Sequence, residues 1–303
     1  MKQPLSHNGK ASDQEWIIQC EERFSNRLEA IANEICTKKN THILRLAGPT
    51  CSGKTTASNM LSRRFAALGR RLHIVSIDDF YFDNEVLRAN SLKKGTGKID
   101  YDSAETIDWK ALRLFTKEIM ENDYSECPIF DFKQGKRVGY RKYESGPEDV
   151  FLFEGIQVLY PEANEIFASC AEEVIGIYIA PHTPITVGNQ TIEPNELRLM
   201  RRLVRDVNFR STPPETTFSL WEGVRANEDA HIFPFVDVCE YRIDSTMPYE
   251  LGILKPYLEK LLITIPKDHP HYAHAVRILA TISSVSEISN ELILPNSLYR
   301  EFV

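Results

Sequence analysis

A three-layer α/β fold, with a five-stranded, mainly parallel sheet and helices on both faces, is predicted by three features of this sequence. Apolar runs of strand length alternate with helical patterns along most of the chain, the order that gives right-handed crossovers between parallel strands. One run, Val150-Phe151-Leu152-Phe153, is apolar at every position, as a strand covered on both faces must be. The stretch Gly48-Pro49-Thr50-Cys51-Ser52-Gly53-Lys54-Thr55 reads G-x-x-x-x-G-K-T between such a strand and a helix. Two glycines there let the backbone curl its N–H groups around one anion, and the helix N-terminus faces the same point.

Taken in order, residues 1–12 are polar and expected to be loose. Trp16, Cys20, Phe24, Leu28, Ile31 and Ile35 then mark one face of a helix, expected to pack on the main domain, with docking of a partner as the alternative. Residues 41–47 alternate as a strand, and residues 56–68 carry Met60, Leu61, Phe65 and Leu68 at helical spacing up to Gly69. A second strand, 72–77, ends in Asp78-Asp79-Phe80-Tyr81, followed by a loop with Gly95 and Gly97 and then Asp100-Tyr101-Asp102. A helix is expected over 108–120 and a hairpin over 128–140 with its turn at Gln134-Gly135. Strands at 150–153, 174–179 and 236–243 complete the sheet, with a helix over 196–208. Beyond Tyr249 the leucine pattern turns helical, a second helix covers 272–284, and 294–302 reads as extended. The expected division is a polar segment and amphipathic helix (1–40), a phosphate-loop domain (41–248) and a helical tail packed on it (249–303).

Composition narrows the classes. The chain has 303 residues, 42% hydrophobic, with a net charge of -7. That balance argues against a general nucleic-acid binder. The six cysteines are scattered without a C-x-x-C pair, which suits free thiols in an intracellular protein rather than a zinc site or disulfide framework. No apolar run is long enough for a membrane span and no signal core opens the chain, so a cytoplasmic location is expected.

In open α/β sheets ligands sit beyond the carboxyl ends of the strands, and the phosphate loop, Asp78 and Glu154 all fall there. Phosphoryl transfer needs a phosphate cradle, a metal ion, a group to orient the nucleophile and positive charge. The residues Gly48, Pro49, Thr50, Cys51, Ser52, Gly53, Lys54, Thr55 and Thr56 supply the cradle for ATP, with Lys54 aimed at the outer phosphates. Thr55, Glu154 and Asp78 are candidates to hold Mg2+ directly or through water. Asp78 is also placed to accept a proton from a substrate hydroxyl. Arg198, Arg201, Arg202 and Arg205 recur at helical spacing, with Arg210 after them, so they share a face that can serve as a mobile lid over a triphosphate.

These segments resemble the uridine kinase and phosphoribulokinase family. The likeness lies in the phosphate loop with Thr56, Ser76-Ile77-Asp78-Asp79-Phe80-Tyr81, Asp100-Tyr101-Asp102 and Pro128-Ile129-Phe130-Asp131-Phe132. It continues in Phe153-Glu154-Gly155-Ile156, Arg201-Arg202-Leu203-Val204-Arg205-Asp206, Trp221-Glu222-Gly223-Val224-Arg225 and Ile232-Phe233-Pro234. Residues 249–257 and 294–302 further resemble a bacterial nucleoside kinase subgroup, whose members often carry an added TGS domain for which there is no room here. The resemblance implies a kinase that uses ATP and Mg2+ to phosphorylate the 5′-hydroxyl of a nucleoside of the uridine or cytidine type. It implies Asp78 as base, with Lys54, Arg201 and Arg205 also catalytic. Asp102 would hold the ribose diol, Phe130 and Phe132 would line the base pocket, and Arg137 and Arg210 would bind substrate. A homo-oligomer is compatible with it, since related enzymes often form tetramers. Two departures bear on the substrate: uridine kinases commonly have tyrosine where Phe130 stands, and many have a histidine near Gly135. A kinase for a sugar or sugar phosphate, and a non-catalytic nucleotide-responsive regulator, are the alternative readings.

Overall fold

A computed structural model of the protein describes residues 10–93, 95, 99, 101 and 103–303. Among the expectations above, the loose segment over 1–9, Gly97, Asp100 and the diol-binding Asp102 lie outside the described residues.

The chain opens on α1 (Lys10–Thr37), so the helix begins within the segment expected to be loose. β1 (Thr41–Ala47) runs into the phosphate loop, which feeds α2 (Lys54–Ala67) and then β2 (Leu72–Ser76). From β2 the chain makes a long excursion through α3 (Asn84–Lys93), α4 (Trp109–Glu121) and the antiparallel hairpin β3 (Tyr124–Asp131) and β4 (Lys136–Glu144). It returns as β5 (Val150–Glu154), crosses over α5 (Pro161–Cys170) and forms β6 (Glu173–Ala180). A second excursion holds a small hairpin, β7 (Ile185–Val187) and β8 (Gln190–Ile192), then α6 (Pro194–Arg210) and α7 (Pro214–His231). It ends in β9 (Tyr241–Asp244), followed by α8 (Glu250–Leu262) and α9 (Tyr272–Ser283).

The five-stranded sheet has the order β2-β5-β1-β6-β9, and every neighbouring pair is parallel. β1 lies at the centre, so its carboxyl end delivers the phosphate loop to the middle of the rim. β5 explains its unbroken apolar run: Val150 and Leu152 face the core under α1 and α2, while Phe151 and Phe153 face the core under α4 and α5. The amphipathic face of α1 is covered by its own chain, with Ile17, Cys20, Phe24, Leu28, Ile31 and Ile35 all buried in the first of those cores. A third core joins α6, α7, α8 and α9.

Differences from the sequence expectation are local. Residues 236–238, expected to open the last strand, instead close a 3-10 turn (Phe233–Val238), and the strand starts only at Tyr241. Pro234 stands at the start of it, where the missing N–H would have had no partner within the turn. Helices α3, α5 and α7 and the β7–β8 hairpin lie outside what the sequence pattern predicts. The end segment is a 3-10 turn at Leu298–Glu301 rather than extended, because the Ser297 side chain accepts from the Tyr299 amide. All six cysteines are free, and among the described residues no helix is long and apolar enough to cross a membrane.

Phe153 is fully buried and its ring lies 4.6 Å from that of Phe167 and 6.3 Å from that of Phe115. Phe153→Ala should therefore cost about 3–5 kcal/mol of stability, read as a lower urea midpoint with unchanged slope.

Candidate active site

The phosphate loop is built from backbone conformations that few side chains permit. Gly53 has φ 90° and Cys51 φ 59°, both in the left-handed region. A Cβ on Gly48 would run into the Ile179 carbonyl oxygen and lie 2.7 Å from Ser52 Oγ. The loop therefore lies tight against the end of β6, and only glycine fits at its entrance. Lys54 curls back across it, donating to the carbonyls of Gly48 at 2.8 Å and Pro49 at 3.1 Å. The Lys54 ammonium is pushed down from the usual lysine range, first by burial. The charges of Glu154, Asp78 and Glu301 oppose that shift.

Asp78 and Glu154 end neighbouring strands in matched register. Ser76 of β2 pairs with Glu154 of β5, and Asp78 follows in a 3-10 turn (Ile77–Phe80). Both carboxylates are near enough to Lys54 to act on its charge, so the structure brings Lys54, Asp78 and Glu154 together at the carboxyl rim. Burial raises the Glu154 carboxyl above the ordinary glutamate range, and Lys54 pulls it back only in part. Its Oε2 is buried without a hydrogen-bond partner. A buried, unpartnered carboxylate oxygen beside the loop, with Thr55 exposed at the start of α2, fits a magnesium ion that keeps waters and takes other ligands from phosphates. Among the described residues no group of three or more His, Cys, Asp and Glu gathers into a metal cage, and an ion of that kind does not need one.

Beside Asp78 lies an aromatic group. The Tyr81 ring is 5.5 Å from Phe130 and 5.9 Å from Phe132, and those two are 5.1 Å apart. Phe130 is buried, whereas Phe132 and Tyr101 are exposed. Gln157 Nε2 donates to the Tyr81 hydroxyl at 2.9 Å, and its Oε1 is buried without a partner. The sequence reading gave Tyr81 and Gln157 no role. Gln157 could have been flagged only by its closeness to Glu154-Gly155. Asp79, by contrast, is a brace: it accepts from the Phe130 amide at 3.2 Å and so ties the end of β2 to the hairpin.

Residues 43–248 match the profile of the phosphoribulokinase / uridine kinase family. The chain belongs to that family. A uridine kinase of Ureaplasma urealyticum is 26% identical over 185 residues, covering 61% of this chain and 78% of the relative. Uridine-cytidine kinase B of Dictyostelium discoideum is 25% identical over 203 residues, covering 67% and 74%. A crystal structure described as a fructose transport system kinase from Silicibacter sp. TM1040 superposes with a TM-score of 0.50 at 21% identity, covering 67% of this chain and 94% of that one. The last likeness is one of fold.

Within this family member the arginines of α6 do not act as one face. Arg198 forms a buried bidentate pair with Glu228 at 2.6 and 2.7 Å and reaches the Thr50 carbonyl at 3.3 Å. Arg201, expected at the transferred phosphate, is fully buried. It is held by Glu250 at 2.7 and 2.9 Å and donates to the carbonyls of Cys51 and Ser245. Burial works against the Arg201 charge, but Glu250 and Tyr299 outweigh it and hold that charge more firmly than usual. Arg198 and Arg201 thus grip the phosphate loop through its carbonyls, on the side away from an anion held by its amides. Arg202, Arg205 and Arg210 gather round Asp206 at 3.2, 2.7 and 3.8 Å. Arg205 also reaches the Thr50 hydroxyl at 3.4 Å, and Arg210 stays exposed. Arg137, expected to hold substrate, donates to the carbonyls of Phe80 and Tyr81 and to Asp108, each at 3.1 Å. It braces the floor under the aromatic group.

A carboxyl raised by burial keeps its proton to higher pH in the folded chain than in the unfolded one. The folded state is then favoured at low pH, and that contribution is lost as pH rises through the raised value. Glu154→Gln should accordingly raise the unfolding temperature at about pH 8 and leave it unchanged at about pH 4, where glutamate is mostly protonated in both states. Calorimetric scans of the two proteins at both pH values check this.

Proposed function

We propose that this protein is an ATP- and Mg2+-dependent kinase that transfers a phosphoryl group to the 5′-hydroxyl of a nucleoside of the uridine or cytidine type. The observation that supports the reading best is that one 3-10 turn after β2 carries Asp78, whose charge acts on Lys54, and ends at Tyr81, whose ring meets Phe130 and Phe132. A carboxylate near enough to the loop lysine to act on its charge, and three residues from a stacking surface, suits a flat ring joined to a primary alcohol.

In this reading the nucleoside ring lies against Phe130 and Phe132, with Asp102 on the ribose diol. Asp78 accepts the proton of the attacking hydroxyl as its oxygen bonds to the γ-phosphorus and the bond to the β,γ-bridging oxygen breaks. Lys54 stabilises charge on the transferred group, and Arg205 and Arg210 supply further charge from α6. Magnesium, held by Thr55 and Glu154, would neutralise phosphate charge. Arg201 serves the same step indirectly, by fixing the loop that holds the phosphates. The uridine and uridine-cytidine kinases among its relatives support the nucleoside assignment. The apolar Phe130 and the absence of a histidine near Gly135 favour loose discrimination among bases.

Purified protein with MgATP and a panel of nucleosides should yield nucleoside 5′-monophosphates, with pyrimidine nucleosides preferred. Turnover of ribulose 5-phosphate, glycerate or a simple sugar, with none on any nucleoside, would move the assignment to another acceptor. Asp78→Asn should lower kcat by about 10²–10⁴-fold while MgATP binding stays intact. Retention of full turnover would remove Asp78 as the base.

A further inference from the structure

The amides at the N-terminus of α2 are the anion seat of the phosphate loop, yet the loop itself provides no capping side chain, since Gly53 stands at the N-cap position. The seat is capped from far along the chain. Glu301 Oε1 accepts from the Thr56 amide at 2.6 Å and from the Thr56 hydroxyl. Its charge also acts on Lys54 and on Arg205. A carboxylate therefore sits on the helix N-terminus where a phosphate of a bound nucleotide would be received.

The segment carrying Glu301 is pinned on both sides of it. Leu298 is fully buried and lies against Gly53, 3.7 Å from where a Cβ there would be. The Tyr299 hydroxyl accepts from Arg201 at 3.2 Å. Phe302 is buried beneath the Arg201 guanidinium, 5.7 Å from its ring centre, and its carbonyl accepts from Asn208 Nδ2 at 3.0 Å. Between these pins Glu301 is only partly buried. The segment lies beyond the residues 43–248 that match the family profile.

We propose that residues 297–303 form an internal strap whose Glu301 carboxylate competes with nucleotide phosphate for Thr56 and must leave the seat when the nucleotide binds. The strap makes donor affinity adjustable: whatever holds Tyr299 and Phe302 against Arg201 favours the closed seat, and nucleotide binding opens it. The inference rests on the nucleotide-binding reading given above.

Two measurements test it. Glu301→Gln keeps the size of the side chain but removes its charge, and it should bind MgADP about tenfold more tightly by titration calorimetry. In the unaltered protein, MgADP should speed hydrogen exchange at the amides of Arg300, Phe302 and Val303, which donate to carbonyls within the strap. Equal or weaker binding by Glu301→Gln would overturn the strap and make Glu301 a brace of the seat, leaving the kinase reading in place. Tighter binding with no change in exchange would also overturn it, as a charge effect without displacement. Failure of both proteins to bind nucleotide, each with a normal unfolding transition, would overturn the strap and the kinase reading together.

Discussion

A lysine ammonium that is largely withdrawn from water is the constraint around which this molecule is arranged. Lys54 cannot keep its charge there unless oxygen atoms surround it. The structure provides two loop carbonyls, from Gly48 and Pro49, and the nearby charges of Glu154, Asp78 and Glu301. The three acids come from different parts of the chain, and the strand order accounts for Glu154 and Asp78. With β1 at the centre and β5 beside it, the loop after one and the acid ending the other must meet. Glu154 is raised by its burial, and a site that holds it there gives up some stability for a carboxylate with an unpartnered oxygen.

A second group of buried charges holds that rim in shape. Arg198 with Glu228 and Arg201 with Glu250 are closed ion pairs inside the protein. Replacing such pairs with apolar residues often leaves stability unchanged or improves it, so stability alone is a weak reason for their presence. Their geometry suggests another. Both guanidiniums have donors left over, and both spend them on carbonyls of the phosphate loop, at Thr50 and Cys51. Carbonyls held outward keep the amides of the same peptides turned inward, which is the orientation an anion needs. The planar fork of arginine lets one side chain bind a carboxylate and a loop carbonyl at once, which a lysine could not do as well.

Legibility from sequence followed the range of the interactions. The strand, loop and helix around Lys54 were readable because glycine, lysine and apolar spacing act within a few residues. The apolar run of β5 was readable because burial on both faces leaves no polar position. The fifth strand was placed too early because residues 236–238 have an apolar pattern that looks like a strand while the chain there is still completing the turn that holds Pro234. The arginines of α6 were correctly gathered onto one helix, but their spacing says nothing about which of them meets a carboxylate. Glu228 lies 30 residues from Arg198 and Glu250 lies 49 from Arg201.

Sequence by itself determined the family, the α/β alternation and the position of the glycine- and lysine-bearing loop, because each is written in local patterns of glycine, charge and hydrophobicity. Tertiary structure decided which charged groups face the cradle and which support it from behind. It turned Arg137 and Arg201 into braces, set Gln157 beside Tyr81, and carried Glu301 across 245 residues to the amide of Thr56. The reason is physical: whether a buried charge faces a ligand or a partner depends on what packs against it, and that is known only once the layers have come together.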